Sequence, residues 1–246
     1  MRTPASKLLS TSIRLRRGTV PRAVRVLIAT PLDEPDRFPP RNVIDAFVAG
    51  VEAGLFGPGT VTQRATTVQI HPEHGLCSDV LDARFSSISP AAFVAVPRMV
   101  RSSVPAAKHV EIHELHADER VLVVRALDSD TEATILDVDW EIALPSSEIP
   151  CLHVELGSAP PPAVATRLLA LFRTWTDVVA LGAFPPADGT PPAAVLSETR
   201  AEGNAVVARF GLLRCGYGAF EALFEALNRI HDEHPIARVS FADARR

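Results

Sequence analysis

The sequence predicts an α+β chain in which one order of elements, β-α-β-β-α-β, occurs twice. Three observations lead there. Apolar runs that alternate with polar residues at period two, the mark of half-buried strands, are interrupted by segments whose apolar residues recur at helical spacing. Corresponding elements keep a nearly constant offset: Phe93 and Phe220, each near the start of a helix, lie 127 residues apart, and the turn at His74-Gly75 matches the one at Glu202-Gly203. With 246 residues, 47% of them hydrophobic, the chain has the apolar material for one large domain or two small ones.

Taken in order, "VRVLIATP" from Val24 reads as a buried strand followed by a loop. Pro39 and Pro40 then open a helix with Val43, Phe47, Val51 and Leu55 on one face, ended by "FGPG". Two strands follow, "VTQRATTVQI" and "DVLDARFSSI", joined through "HPEHG". A helix from Ser89 or Pro90 carries Phe93, Val96 and Val100 and is weakened by Pro97; "HVEIHELH", His109 to His116, closes the set. The second set opens with "CLHVELGS" and a helix started by Pro161 and Pro162 that carries Val164, Leu168, Leu171, Phe172, Trp175 and Val179. The strands "AAVLSETR" and "AVVARFGLL", a helix with Phe220, Leu223, Phe224, Leu227 and Ile230, and the strand "IARVSFA" complete it. Between the sets, "RVLVVRAL" and "EATILDVDWEIAL" read as two further strands, the first making a hairpin with "HVEIHELH" through "ADE".

The order β-α-β-β-α-β is that of the ferredoxin-like unit. The expected architecture is a tandem pseudo-repeat of two ferredoxin-like units joined by two extra antiparallel strands, with helices on one face of largely antiparallel sheets. The boundaries are a basic flexible arm at 1–22, a first unit at 23–117, connecting strands at 118–149 and a second unit at 150–246. A unit of roughly 90 residues leaves one sheet face uncovered, so the two are expected to share one core.

Charge is uneven along the chain. The first 32 residues hold seven Lys or Arg and no acid, against a total of −4 for the whole. The opening segment is a basic arm suited to an acidic surface of the same chain, a sister subunit or another protein, with Arg14, Arg16 and Arg17 as candidate partner-binding residues. Its composition is also that of an organellar transit peptide. A single short basic cluster without interleaved aromatics argues against nucleic acid. Cys77, Cys151 and Cys215 are odd in number and widely spaced, which excludes a disulfide framework and a CxxC zinc knuckle and suggests reduced thiols. With no signal core and no apolar run long enough to span a bilayer, the expected location is the cytoplasm.

The stretch "HVEIHELH" packs three histidines and two glutamates into eight residues. On a helix, His109, His113 and His116 would share a face. On a strand, His109 and His113 stand about 13 Å apart at about 3.3 Å per residue, too far to share a small ion. The alternation of Val110 and Ile112 favours the strand, so only His109 with Glu111, or Glu111 with His113, could coordinate together. No metal or cofactor is expected; these three residues are the candidates should one be bound. The pairs His71/His74 and His231/His234 match no zinc helix. Asp137, Asp139 and Glu141 share a strand face and suit two Mg²⁺ ions, but no phosphate loop precedes them and a solvated face explains them. In "RCGYGAFEAL", Cys215 precedes a helix start, where a thiol pKa falls, and Gly216 and Gly218 could admit an anion or allow φ > 0.

The candidate catalytic residues are therefore His109, Glu111, His113 and Cys215, and the candidate ligand-binding residues Gly216 and Gly218. None forms a recognised catalytic motif. The expected function is a non-catalytic interaction or assembly protein, binding a protein partner or itself through sheet edges and the basic arm. The alternative is a small-molecule-binding protein or metal-assisted enzyme with a cleft between the halves.

Overall fold

A computed structural model of the chain describes residues 9–15, 20–33, 40–115, 139–142 and 150–243. The fold is mixed α+β, with two five-stranded sheets and four α-helices among the described residues. It divides into two compact units, one within Met1–Glu52 and Pro58–Ser129, the other within Ala53–Gly57 and Asp130–Arg246.

The first unit contains β1 (Ser10–Arg14), β2 (Val20–Pro31), α1 (Pro40–Ala53), β3 (Thr60–His71), β4 (Leu76–Ile88), α2 (Ala95–Ser103) and β5 (His109–Glu114). The sheet order is β1-β5-β2-β4-β3. Alternation sets the faces. Val24, Val26 and Ile28 of β2, Leu81, Ala83 and Phe85 of β4, and Val110 and Ile112 of β5 are buried on the helix side. Against them lie Phe47 of α1 and Phe93, with ring centroids of Phe47, Phe85 and Phe93 separated by 5.2 to 6.1 Å. Phe93 belongs to a 3₁₀ turn, Pro90–Val94, that runs into α2. Pro97 therefore falls in the first turn of the α-helix, where its missing N–H has no intrahelical partner to lose.

The second unit contains β6 (Asp139–Ile142), β7 (Pro150–Leu156), α3 (Pro162–Ala180), β8 (Ala193–Glu202), β9 (Ala205–Arg214), α4 (Gly218–Glu233) and β10 (Ile236–Asp243). Its sheet order is β6-β10-β7-β9-β8. Trp175 of α3 is fully buried between Phe210 of β9 and Phe220 of α4, with centroids at 5.5 and 6.0 Å, and its indole Nε1 donates to the carbonyl of Ala219 at 2.7 Å. That bond satisfies the polar atom the ring takes out of water.

Two expectations need correction. β1 pairs parallel to β5 from Ser10↔His109 to Arg14↔His113, so residues 10–14 of the expected flexible arm are a sheet strand. The extra strand before the second unit does not join it in antiparallel fashion, because β6 runs parallel to β10. The reason is the same in both sheets. β1 and β2 are successive strands of opposite direction with β5 inserted between them, and β6 and β7 are successive strands of opposite direction with β10 inserted. The β-α-β-β-α-β order by itself would leave the outer edge of its last strand unpaired, and here the strand ahead of each unit satisfies those backbone groups. The expected strand "RVLVVRAL", its hairpin through "ADE", and Asp137 lie outside the described residues.

Candidate functional site

The His/Glu stretch is a strand with one wet face. Val110 and Ile112 are fully buried, while His109, Glu111 and His113 lie on the opposite side, each about one-third exposed. Glu111 sits between the imidazoles, 3.8 Å from His109 Nε2 and 3.4 Å from His113 Nδ1. In register beside them on β2 come Ala29, Leu27 and Arg25, and Arg25 donates two hydrogen bonds of 2.7 Å to the carboxylate of Asp82 on β4. This fork holds Asp82 below the usual carboxylate range. The face sets two carboxylates among an arginine and two imidazoles. Among the described residues no group of three or more His, Cys, Asp or Glu side chains is placed to hold a metal ion, so His109, Glu111 and His113 do not form a ligand set.

On the other side of β5, Glu114 accepts a 2.7 Å hydrogen bond from Arg22 of β2, and both side chains are almost wholly buried. An ion pair taken out of water is held by its geometry and is costly to break. The sequence reading assigned Arg22 to the arm and missed this pair, although the alternation that buries Val110 and Ile112 also turns Glu114 inward.

The cysteine reading is reversed by burial. Cys215 follows β9, ahead of the first turn of α4, and desolvation pushes its thiol up to about 11. A raised pKa disfavours the thiolate that a nucleophile needs. Gly216 and Gly218 do not have positive φ. Gly216 is glycine because a Cβ there would meet the carbonyl oxygen of Pro185 at 2.5 Å, and its N–H donates to the carbonyl of Phe184 at 2.9 Å. The Phe184-Pro185 segment thus packs against Gly216 and takes up its N–H. Of the candidate arginines, Arg14 is exposed on β1, and Arg16 and Arg17 lie outside the described residues.

One contact between a nucleophile and a base was not anticipated. Cys151 Sγ lies 3.2 Å from His153 Nε2 on β7, the two side chains sharing a face because they are two residues apart on a strand. "CLH" on a predicted strand would have indicated it. Burial raises the Cys151 pKa, with Arg209 opposing, and lowers that of His153. Both shifts favour the neutral thiol and imidazole, and Cys151 is 2% exposed, so the pair is a hydrogen bond within the sheet. Two clefts of about 190 and 200 Å³, both lined by Ala23 and Arg84, lie below the roughly 300–1,000 Å³ of small-molecule sites.

No family model matches this chain. No curated protein matches it either. Among solved structures, a "Crystal Structure of an Unknown Protein from Galdieria sulphuraria" matches over 87% of this chain and 93% of that one, at 9% identity and a TM-score of 0.23, too low to bear on the fold.

What remains distinctive is a sheet edge. Among the described residues the sheets end in β1, β3, β6 and β8. β1 has only five residues, and of β6 only Asp139–Ile142 is described. β8 is interrupted by two register shifts and carries Glu198, Arg200 and Glu202, with Arg200 paired to both acids. Shortness, bulges and charge are the usual protections of an edge. β3 has twelve residues, a single register shift near its start and a regular run from Gln63 to His71 in which Ala65–Ile70 is uncharged. Val68 and Ile70 are 56% and 62% exposed on that run.

Proposed function

We propose that this chain is a non-catalytic interaction and assembly protein that takes up a partner strand along the outer edge of β3. The observation that carries this reading is the contrast between β3 and the protected edges β1 and β8. A long, regular edge with an uncharged centre offers a row of unpaired backbone groups to another chain, and sequences that do not use such an edge tend to blunt it. Exposed Val68 and Ile70 supply side-chain contacts on one face of the added strand. The partner is a protein, and the three unpaired cysteines fit a reducing compartment such as the cytoplasm. No helix among the described residues is long and apolar enough to cross a membrane.

We also infer that the scaffold is a duplicated ferredoxin-like unit, each copy preceded by one strand. The matching strand orders support this, as do the corresponding rings: Phe47 and Trp175 on the first helices, Phe85 and Phe210 on the third strands of the two repeats, and Phe93 and Phe220 at the second helical segments. In this reading β1 and β6 are equivalent elements, and the basic arm and the connecting strands are the same part of two repeats.

The test is the double variant Val68→Lys/Ile70→Lys, which adds charge at exposed positions and should change stability by no more than about 0.5 kcal/mol per site. Expected is an unchanged melting temperature with loss of whatever association the wild-type chain shows, to itself or to proteins retained from a lysate. Association that survives both lysines overturns the edge reading.

A further inference from the structure

The β3 edge carries opposite charges at its two ends. Arg64 stands at the start of the regular run, Glu73 in the 3₁₀ turn Pro72–His74 that follows its end, and the residues Ala65–Ile70 between them are neutral. Such an edge is complementary to itself when reversed. Resting on the edge reading above, we infer that the strand taken up by β3 is β3 of a second copy of this chain, paired antiparallel about a two-fold axis at Val68.

Register decides the details. Thr66, Val68 and Ile70 point to the same side of the sheet, the side of Leu81, which is opposite Thr66 on β4. With the axis at Val68, the two Val68 side chains meet and each Ile70 lies opposite the partner's Thr66. The four exposed apolar side chains then form one contiguous patch. Arg64 falls opposite the partner's Pro72, beside the partner's Glu73, and the contact occurs twice because a two-fold interface repeats each of its contacts. An axis at Arg64 would instead set the two guanidiniums against each other, a like-charge pair that disfavours that register. Glu73 is 63% exposed with the His74 imidazole 4.0 Å away, so its carboxylate is accessible to a partner's arginine.

Pairing by strand edges buries less than the roughly 1,600 Å² of a standard interface, so the dimer is expected in the micromolar range. The experiment is sedimentation equilibrium of the full chain from about 1 to 200 μM, a range set by that affinity, starting from a 26.5 kDa monomer. The wild type should reach twice that mass. Val68→Lys should remain monomeric with an unchanged melting temperature. Arg64→Glu and Glu73→Arg should each weaken dimerisation about tenfold, and the Arg64→Glu/Glu73→Arg double variant should return to within about threefold of wild type, the signature of one ion pair formed twice.

A wild type that stays monomeric throughout overturns the second-copy inference alone, because the edge then remains open to a different protein and the lysine variant still tests that. A dimer indifferent to Val68→Lys overturns both readings. A dimer lost with Val68→Lys but not restored by the charge exchange overturns this register and leaves the edge reading standing.

Discussion

Gly216 and Gly218 stand two residues apart, and alanine should affect them in opposite directions. At Gly216 the new Cβ meets the carbonyl oxygen of Pro185, a backbone atom, at 2.5 Å, so Gly216→Ala should cost about 1–3 kcal/mol in urea unfolding. At Gly218, the first residue of α4, the nearest atom is a Phe184 ring carbon at 3.6 Å, ordinary contact. Gly218→Ala should be neutral or stabilise by up to about 1 kcal/mol through helix propensity. Equal losses at both positions would return weight to a GxG ligand loop. The sequence could not separate these roles: both glycines lie at the start of the same helix, and only the return of the Phe184-Pro185 segment against Gly216 distinguishes them.

At the level of elements, β5 shows how a strand divides one sequence between two environments. Glu111 and Glu114 are three residues apart and therefore on opposite faces. Glu114→Ala leaves the buried Arg22 guanidinium without this carboxylate and should cost about 3–5 kcal/mol. Glu111→Ala removes a partly exposed carboxylate from between two imidazoles and should cost under about 1 kcal/mol. Chemical denaturation of the two variants checks the contrast; similar losses would mean that the ladder on the exposed face is structurally as important as the buried pair. The strand was legible in the sequence because Val110 and Ile112 alternate with polar residues. Its position inside the sheet was not, since pairing with β1 depends on backbone groups that carry no sequence signature.

At the scale of the whole molecule, acid should destabilise the fold in two separable steps. Partial desolvation on β7 lowers the His153 pKa below its ordinary value of about 6.5, although the side chain reaches the surface. The unfolded chain therefore takes up the proton first, and stability falls as pH drops below about 6.5 until the folded pKa is reached. His153→Gln should flatten that part of the curve. Asp82 is held low by Arg25, so its contribution is complete above the ordinary carboxylate range and is lost as pH falls further, through its folded pKa. Urea midpoints measured against pH for wild type, His153→Gln and Asp82→Asn check both windows; an unchanged slope below pH 6.5 in His153→Gln would remove histidine from the account. By itself the sequence determined the α+β class, the four helices and the faces of the strands, because periodicity and turn residues act over a few positions. Only the tertiary structure decided that β5 and β10 are interior, that Arg22 and Glu114 are a buried pair, that the Cys215 thiol is raised and that β3 ends its sheet among the described residues. Each of these depends on which distant segment lies alongside, and that is fixed by packing and backbone pairing across the fold.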